Sequence, residues 1–151
     1  MPEPPHLADT NILLRLSKQN DPRYPLIRAT VLDLRERGAT LCYTSQTIAE
    51  FWNVSTRPIE KNGFGLSIDD TDARVREIEN QFTLLTDSEA VHREWRRLVV
   101  RHEVRGAKVH DARLVATMLT HDVRNLLTFN GEDFRRFSEV TVVTPKFLTN
   151  A

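Results

Sequence analysis

Several features that narrow the class of a protein are scarce in this sequence. It contains a single cysteine, Cys42, so no internal disulfide can form, and a reducing compartment such as the cytoplasm is expected. Lys plus Arg and Asp plus Glu each number 21, so no net charge draws the chain to a polyanion, and a nucleic acid would need a local basic patch. No apolar stretch approaches the roughly 20 residues of a membrane span, and the start, MPEPPH, does not resemble a signal peptide. We therefore expect a cytoplasmic protein without membrane association.

The length and composition fit one compact domain. With 151 residues, of which 40% are hydrophobic, the chain is long enough to bury a core and too short to add a second domain. No internal repeat or low-complexity segment divides it. We predict a single domain over residues 1–151, with flexible tails at residues 1–5 and 146–151.

Strand-like and helix-like segments alternate along the chain. Short apolar segments predict strands at residues 6–9, 40–44, 82–86, 125–129 and 140–144. Amphipathic segments predict helices at residues 10–18, 21–38, 45–55, 69–81, 88–105 and 110–122, with Gly38 and Gly106 ending two of them. Strands separated by helices require right-handed crossovers. The predicted fold class is therefore α/β, with a central, mostly parallel five-stranded sheet between two layers of helices.

Acidic and amide side chains lie close to the predicted strand ends. Asp9 directly follows the first strand, and Glu50 lies in the second turn of the helix after the second strand. Asp111 begins the helix before the fourth strand, and Asn130 and Asp133 follow that strand. Ligands of parallel α/β sheets bind outside the carboxyl ends of the strands. Because we expect no Lys or Arg between these carboxylates, they should repel one another. A divalent cation bound among them would offset this repulsion.

Each of these residues also has a purely structural interpretation. Asp9 or Thr10 could cap a helix that begins at Ile12, and Asp111 is a first-turn acid that the helix dipole favours. Glu50 has Gln46, Thr47 and Asn53 as its helical neighbours, a pattern typical of a solvated face or of an oriented ligand. Asn130 and Asp133 could simply form a turn. Taken singly, the residues leave both interpretations open.

The four segments together resemble the PIN domain. They are Asp9-Thr10-Asn11 after the first strand, SQTIAEFWNV after the second, VHDARLVATM on a late helix, and LLTFNGEDF on the fourth strand. The resemblance runs from Leu7 to about Thr144, and the nearest likeness is to VapC-type toxins and PilT N-terminus-like proteins. It implies a PIN-like domain that acts as a metal-dependent endoribonuclease and hydrolyses RNA phosphodiester bonds. It also implies the toxin role in a VapBC-type toxin-antitoxin pair, with an antitoxin partner and a homodimer.

The resemblance assigns roles to individual residues. It implies Asp9, Glu50 and Asp111 as metal-binding and catalytic acids, and Mg²⁺ or Mn²⁺ as the cofactor. PIN domains often have Asp where this chain has Asn130, so either Asn130 is a neutral metal ligand or Asp133 supplies the fourth catalytic acid. In this interpretation, Thr10 and Asn11 hold the loop that contains Asp9, and one of these two residues caps the helix that follows. The complete set of supporting residues is Thr10, Asn11, Gln46, His110 and Thr128.

A basic stripe is the candidate RNA contact. Arg93, Arg97, Arg101 and Arg105 recur every four residues along the predicted long helix. We predict that Arg97, Arg101, Arg105 and Arg113 bind RNA phosphates, although an ordinary solvated face has the same pattern. His110 is a candidate to orient Asp111 or to contact a phosphate.

The sequence leaves two other functions open. A receiver-type phospho-signalling domain also has an acidic pocket in an α/β sheet, and Asp87 follows the third strand. It needs, however, paired acids at the first strand, and Asp9 has no acidic neighbour. A PIN-like binding module that lost catalysis through Asn130 is the other alternative. Binding of Mn²⁺ would distinguish the nuclease from the inert module.

Overall fold

The computed structural model describes residues 2–145 and contains five strands and six helices in this range. The strands are β1 (His6–Ala8), β2 (Leu41–Thr44), β3 (Thr83–Leu85), β4 (Asn125–Leu127) and β5 (Thr141–Val143). The helices are α1 (Thr10–Leu16), α2 (Tyr24–Glu36), α3 (Ser45–Thr56), α4 (Ile68–Gln81), α5 (Glu89–Arg101) and α6 (Val109–Thr120). Short 3-10 turns lie at Ile59–Lys61, Gly106–Lys108 and Gly131–Phe134. The predicted order of elements is confirmed.

The strands form one parallel sheet in the order β3-β2-β1-β4-β5. Every neighbouring pair is parallel, and Ala8 at the end of β1 lies opposite Leu127 at the end of β4. The direction of chain progression reverses between β1 and β4, and such a reversal creates a crevice at the carboxyl edge. The predicted α/β sheet is confirmed. The order also differs from the 2-1-3-4-5 order of receiver domains, so the receiver alternative is wrong.

Two hydrophobic cores cover the two faces of the sheet. Leu7 and Leu126 point into one core, which α5 and α6 complete with residues such as Leu98 and Met118. Ala8 and Leu127, one residue further along their strands, point into the other core, which includes Ile12 of α1 and Phe51 of α3. Successive strand residues face opposite sides of a sheet. The layers are therefore helix, sheet and helix, as predicted.

The lone cysteine belongs to the buried sheet. Cys42 of β2 is a free thiol that is 2% exposed. Burial raises the pKa of this thiol to about 11. Because the thiolate is the reactive form of cysteine, Cys42 is a packing residue.

Helix α5 ends earlier than predicted. It stops at Arg101, whereas the sequence predicted a helix to about Arg105 closed by Gly106. Glu103 adopts a left-handed conformation with a φ of 50°. The Val104 N–H then donates to the Val99 carbonyl over 2.9 Å, and the Glu103 N–H donates to the Val100 carbonyl over 3.3 Å. These bonds form a Schellman motif in which a glutamate occupies the position that usually selects glycine.

The predicted tails are described only in part. Met1 and residues 146–151 lie outside the described residues. Glu3 makes a 3.0 Å ion pair with Arg37, and its N–H donates to the Arg37 carbonyl over 3.0 Å. Between residues 2 and 145, no helix is long and apolar enough to cross a membrane.

Candidate active site

Asp9 occupies the junction between β1 and α1. Its N–H donates to the Leu127 carbonyl over 3.0 Å, which extends the pairing of β1 with β4 by one residue. Its side-chain Oδ1 accepts a 2.8 Å hydrogen bond from the Thr10 N–H, so Asp9 is the N-cap of α1. The assignment of the cap to Thr10 or Asn11 was therefore wrong. A single carboxylate caps the helix with one oxygen and presents the other at the carboxyl edge of the sheet.

Asn11 and Thr128 hold the second oxygen of Asp9. The Thr128 hydroxyl donates to Asp9 Oδ2 over 2.8 Å, and the Asn11 amide donates to the same oxygen over 3.3 Å. The Asn11 amide also donates to Thr128 Oγ1 over 3.1 Å, while its carbonyl accepts from the Phe129 N–H over 3.1 Å. Asn11 therefore connects the start of α1 to the segment after β4, and the carboxylate is oriented by neutral donors.

The predicted acids line a single cavity at this edge. The cavity has a volume of about 650 Å³. Its lining includes the predicted site residues Asp9, Thr10, Asn11, Gln46, Glu50, His110, Asp111, Asn130 and Asp133. Thr128 is fully buried beneath Asp9 and contacts the site through the hydrogen bond described above. The fold thus brings together residues from four separate segments of the chain.

The side-chain contacts of Glu50 differ from those that its helical neighbours suggest. It is exposed, and within residues 2–145 only Asn53 among its three predicted neighbours is hydrogen-bonded to it, over 3.5 Å. Gln46 instead donates to the His110 carbonyl over 2.8 Å, and Thr47 belongs to the capping box of α3 with Thr44. Of the three helical neighbours of Glu50, Gln46 and Thr47 are thus engaged elsewhere, and Asn53 is the one that contacts it. Gln46 connects α3 to the start of α6 and so positions two walls of the cavity.

The sequence did not predict that Lys108 lies between the carboxylates of the cavity. Its ammonium lies 2.8 Å from Asp133 Oδ1 and 3.6 Å from Asp111 Oδ2. The expectation that no Lys or Arg lies between the carboxylates is wrong. The spacing of three residues between Lys108 and Asp111, typical of neighbours on a helix, could have predicted the second contact. The contact with Asp133 depends on tertiary structure, because 25 residues separate the two in sequence.

The carboxylates influence one another electrostatically. Burial raises the pKa of Asp9, and the charge of Asp133 adds to this effect, whereas the hydrogen bonds from Thr128 and Thr10 oppose it. Burial also raises the pKa of Asp111, Lys108 opposes that shift, and the charges of Asp133 and Asp9 increase it. Like charges therefore converge on this cavity, and a cation lowers the cost of keeping them ionised.

The donor atoms of the cavity suit a hard divalent cation. Carboxylate and amide oxygens are the ligands that Mg²⁺ and similar ions prefer. In the described part of the chain, however, no three His, Cys, Asp or Glu side chains already stand as a group able to hold a metal ion. Asp111 and Asp133 instead contact Lys108. The chemistry of the donors fits a divalent cation, while the positions of two carboxylates are those of an ion pair.

The four predicted RNA-binding arginines do not share one surface. Arg97 pairs with Glu94, and Arg97 and Arg101 line a depression on α5 away from the acidic cavity. Arg105 lies beyond the end of α5, so the stripe of four arginines is interrupted. Arg113 pairs with Asp87 and lines a second cavity of about 350 Å³, which shares Gln46 and His110 with the acidic cavity. Of these arginines, Arg113 lines a cavity that shares residues with the acidic cavity, whereas Arg97 and Arg101 line another depression.

Comparisons with known proteins agree with this geometry. The sequence model of the PIN domain matches residues 7–140. Comparison with curated protein sequences gives no significant match.

Several solved structures share the fold. One is VapBC2 from Rickettsia felis bound to promoter DNA, with a TM-score of 0.69 and 15% identity over 92% of this chain and 97% of that chain. VapBC-1 from nontypeable Haemophilus influenzae has a TM-score of 0.69 and 18% identity over 93% of this chain and 98% of that chain. VapC20 from Mycobacterium tuberculosis, a toxin that cleaves the sarcin-ricin loop, has a TM-score of 0.64 and 15% identity over 87% of this chain and 95% of that chain. The predicted resemblance is confirmed.

Proposed function

Because this chain belongs to the PIN domain family, we propose that it is a metal-dependent endoribonuclease that hydrolyses RNA phosphodiester bonds. The observation that carries the proposal is the convergence of Asp9, Glu50, Asp111 and Asp133 from separate segments on one cavity. PIN domains are nucleases that generally use divalent metal ions. Activation of water by such an ion requires no nucleophilic side chain, and the cavity lining supplies carboxylates and amides rather than a cysteine.

Particular residues would hold the ion and the attacking water. Asp9, Glu50 and Asp111 are the proposed carboxylate ligands of Mg²⁺ or Mn²⁺, and Asn130 offers a neutral amide oxygen. When bound, such an ion lowers the pKa of a coordinated water and stabilises the leaving oxygen. Asp133, which lines the same cavity, would supply the fourth carboxylate and face the ion or its bound water. Thr128 and Asn11 keep the Asp9 carboxylate in a fixed orientation throughout.

The biological role that we propose is that of a toxin with a cognate antitoxin. VapBC2 from Rickettsia felis and VapBC-1 from Haemophilus influenzae, which share the fold, carry names of toxin-antitoxin pairs. VapC20, a further structure with this fold, is a toxin that cleaves the sarcin-ricin loop. By analogy, this protein would act on RNA in the cytoplasm as a homodimer and would be restrained by an antitoxin protein.

Conservative substitution of the acids tests the nuclease proposal. Asp9→Asn and Asp111→Asn should each abolish Mn²⁺- or Mg²⁺-dependent cleavage of total bacterial RNA and leave the thermal unfolding transition cooperative. Asp72→Asn is the matched control, because Asp72 lies on α4 and pairs with Arg76, outside the cavity lining. Full cleavage by either cavity variant would reject the assignment.

An inert PIN-like binding module is the second candidate, and the neutral Asn130 favours it. Calorimetric titration with Mn²⁺ separates the two candidates. The nuclease should bind Mn²⁺ and cleave RNA, and chelation of the metal by EDTA should stop the cleavage. Absence of both binding and cleavage in the unmodified protein would favour the inert module.

A further inference from the structure

Lys108 is the only Lys or Arg with an ion pair to an acid of the catalytic cavity in the described part of the chain. Its ammonium contacts Asp133 over 2.8 Å and approaches Asp111 over 3.6 Å. These two acids come from different elements: Asp111 from the first turn of α6, and Asp133 from the 3-10 turn after β4. One positive charge thus bridges two carboxylates at the place where a divalent cation is proposed to bind.

The position of Lys108 leaves its ammonium free to move. Its side chain is 43% exposed, and that of Asp133 is 46% exposed, so the pair lies at the cavity mouth. Lys108 ends the turn Gly106–Lys108, and its four-carbon stem can rotate into solvent without changing a hydrophobic core. Ion pairs of this exposure are weak and exchange readily with other cations. Another cation could therefore displace Lys108 from Asp133.

Lys108 and a divalent cation would compete for the same carboxylates because both are positively charged. A divalent ion held by Asp111 and Asp133 would be bound by the two carboxylates that Lys108 contacts, and the ammonium would repel it. Asp9 is in a different situation, because its contacts come from Thr10, Asn11 and Thr128, which carry no charge. The acids of the cavity thus differ: neutral donors orient Asp9, whereas a cation contacts Asp111 and Asp133.

We propose that Lys108 is a built-in counter-cation of the catalytic cavity, which competes with the divalent metal for Asp111 and Asp133 and thereby weakens metal binding. The inference rests on the proposed function, since it concerns the metal of that site. In the free protein, the single charge of Lys108 would then partly compensate Asp111 and Asp133 without a metal. The metal enters only when its concentration is sufficient to displace the lysine.

Metal affinity, measured apart from RNA cleavage, tests the proposal. Isothermal titration with MnCl₂ and MgCl₂ should give a Kd that is about three- to tenfold lower for Lys108→Met than for the unmodified protein, as expected for removal of a partly exposed charge. Lys108→Arg retains the charge and should stay near the unmodified value. Lys61→Met, in the turn Ile59–Lys61 outside the cavity lining, is the matched control and should leave the Kd unchanged.

A double-mutant cycle tests whether the contact between Lys108 and Asp133 is the one that weakens metal binding. In an Asp133→Asn background, Lys108 retains only the 3.6 Å approach to Asp111, so Lys108→Met should change the Kd by less than about twofold. An equal improvement in both backgrounds would mean a general charge effect and would overturn the proposed competition. Unchanged or weaker binding by Lys108→Met in the unmodified background would overturn it as well.

The two proposals fail in different ways. If neither the unmodified protein nor Lys108→Met binds metal or cleaves RNA, the nuclease assignment itself is rejected, and the competition with it. If both bind metal with the same Kd and RNA is cleaved, only the role of Lys108 is rejected. Thermal unfolding of each variant verifies that the exposed substitution has left the fold intact.

Discussion

The Thr128 hydroxyl donates a 2.8 Å hydrogen bond to Asp9 Oδ2 and joins the ends of two adjacent strands whose residues are 119 positions apart in sequence. The same hydroxyl oxygen accepts from the Asn130 N–H over 3.0 Å and from the Asn11 amide over 3.1 Å. One buried side chain therefore satisfies three partners at the carboxyl edge of the sheet. The orientation of the Asp9 carboxylate is consequently a property of the fold.

Replacing Thr128 by valine should disrupt this arrangement without changing the volume of the side chain. Thr128→Val removes the donor to Asp9 and leaves the Asn130 N–H without its partner, so we expect a loss of about 1–3 kcal/mol in the free energy of unfolding. Mn²⁺ affinity should also fall, because Asp9 loses its orientation. Urea denaturation and calorimetry measure the two effects.

Thr71→Val is the matched control for this substitution. Thr71 is also fully buried, but its hydroxyl donates only to the Ser67 carbonyl, at the start of α4. We expect a loss of about 1 kcal/mol or less and unchanged Mn²⁺ affinity. Normal metal binding by Thr128→Val would contradict the role of Thr128 in orienting Asp9.

The pKa of Asp9 predicts how stability depends on pH when no metal is bound. Because burial raises the pKa of Asp9 above its ordinary value of 3.8, the folded protein holds this proton more tightly than the unfolded chain does. The stability from the protonated carboxyl is fully present below 3.8 and is lost as the pH rises through the folded pKa. Asp9→Asn cannot ionise and still caps α1, since Asn and Asp are similar N-caps.

In EDTA, Asp9→Asn should therefore be more stable than the unmodified protein at about pH 7, and the difference should shrink towards about pH 4. Urea denaturation of both proteins over this range measures the difference, in which the titration of other groups largely cancels. A difference that is constant with pH, or that grows on acidification, would mean that the Asp9 pKa is not raised.

Arg113 should contribute more to RNA binding than the arginines of α5. It lies two residues after Asp111, and its cavity adjoins the acidic one. Arg113→Gln should weaken binding of a single-stranded RNA in EDTA and reduce the slope of log K against log salt by about 0.7. Fluorescence anisotropy at several salt concentrations measures both quantities.

Arg101→Gln and Arg76→Gln provide the comparison for Arg113. Arg101 lines the separate depression on α5, and Arg76 pairs with Asp72 on α4. We expect a smaller effect for Arg101→Gln and none for Arg76→Gln. A larger effect at Arg101 than at Arg113 would instead place the RNA along α5, as the four-residue spacing first suggested.

The end of α5 provides a prediction about stability. Glu103 has a φ of 50°, a conformation that disfavours residues with a β-carbon, so Glu103→Gly should stabilise the protein by about 0.5–1 kcal/mol. Gly106 has a φ of 60°, and no atom lies within 4 Å of the position of an added β-carbon. Gly106→Ala should therefore destabilise by about 1 kcal/mol through backbone strain alone. Thermal and urea denaturation of the two variants show whether Glu103→Gly raises, and Gly106→Ala lowers, the free energy of unfolding.

The sequence predicted the elements of the fold well because their causes are local. Alternating apolar segments, the periodicity of the helices and the stop at Gly38 all depend on residues within a few positions of each other. The end of α5 was missed, since the helix is closed by a glutamate in a conformation that favours glycine. The convergence of the acids on one cavity could be predicted because the carboxyl ends of parallel strands meet at one edge.

The sequence by itself determined an α/β sheet with acids at its strand ends, since strand, helix and cap patterns are set by neighbouring residues. Tertiary structure alone decided how those acids are held. Asp9 is both a helix cap and a cavity carboxylate because Thr128 reaches its second oxygen from another strand. Lys108 meets Asp133 across 25 residues of sequence, since helix α6 and strand β4 bring the two turns together. Contacts of this kind depend on the packing of distant segments, which no local pattern in the sequence specifies.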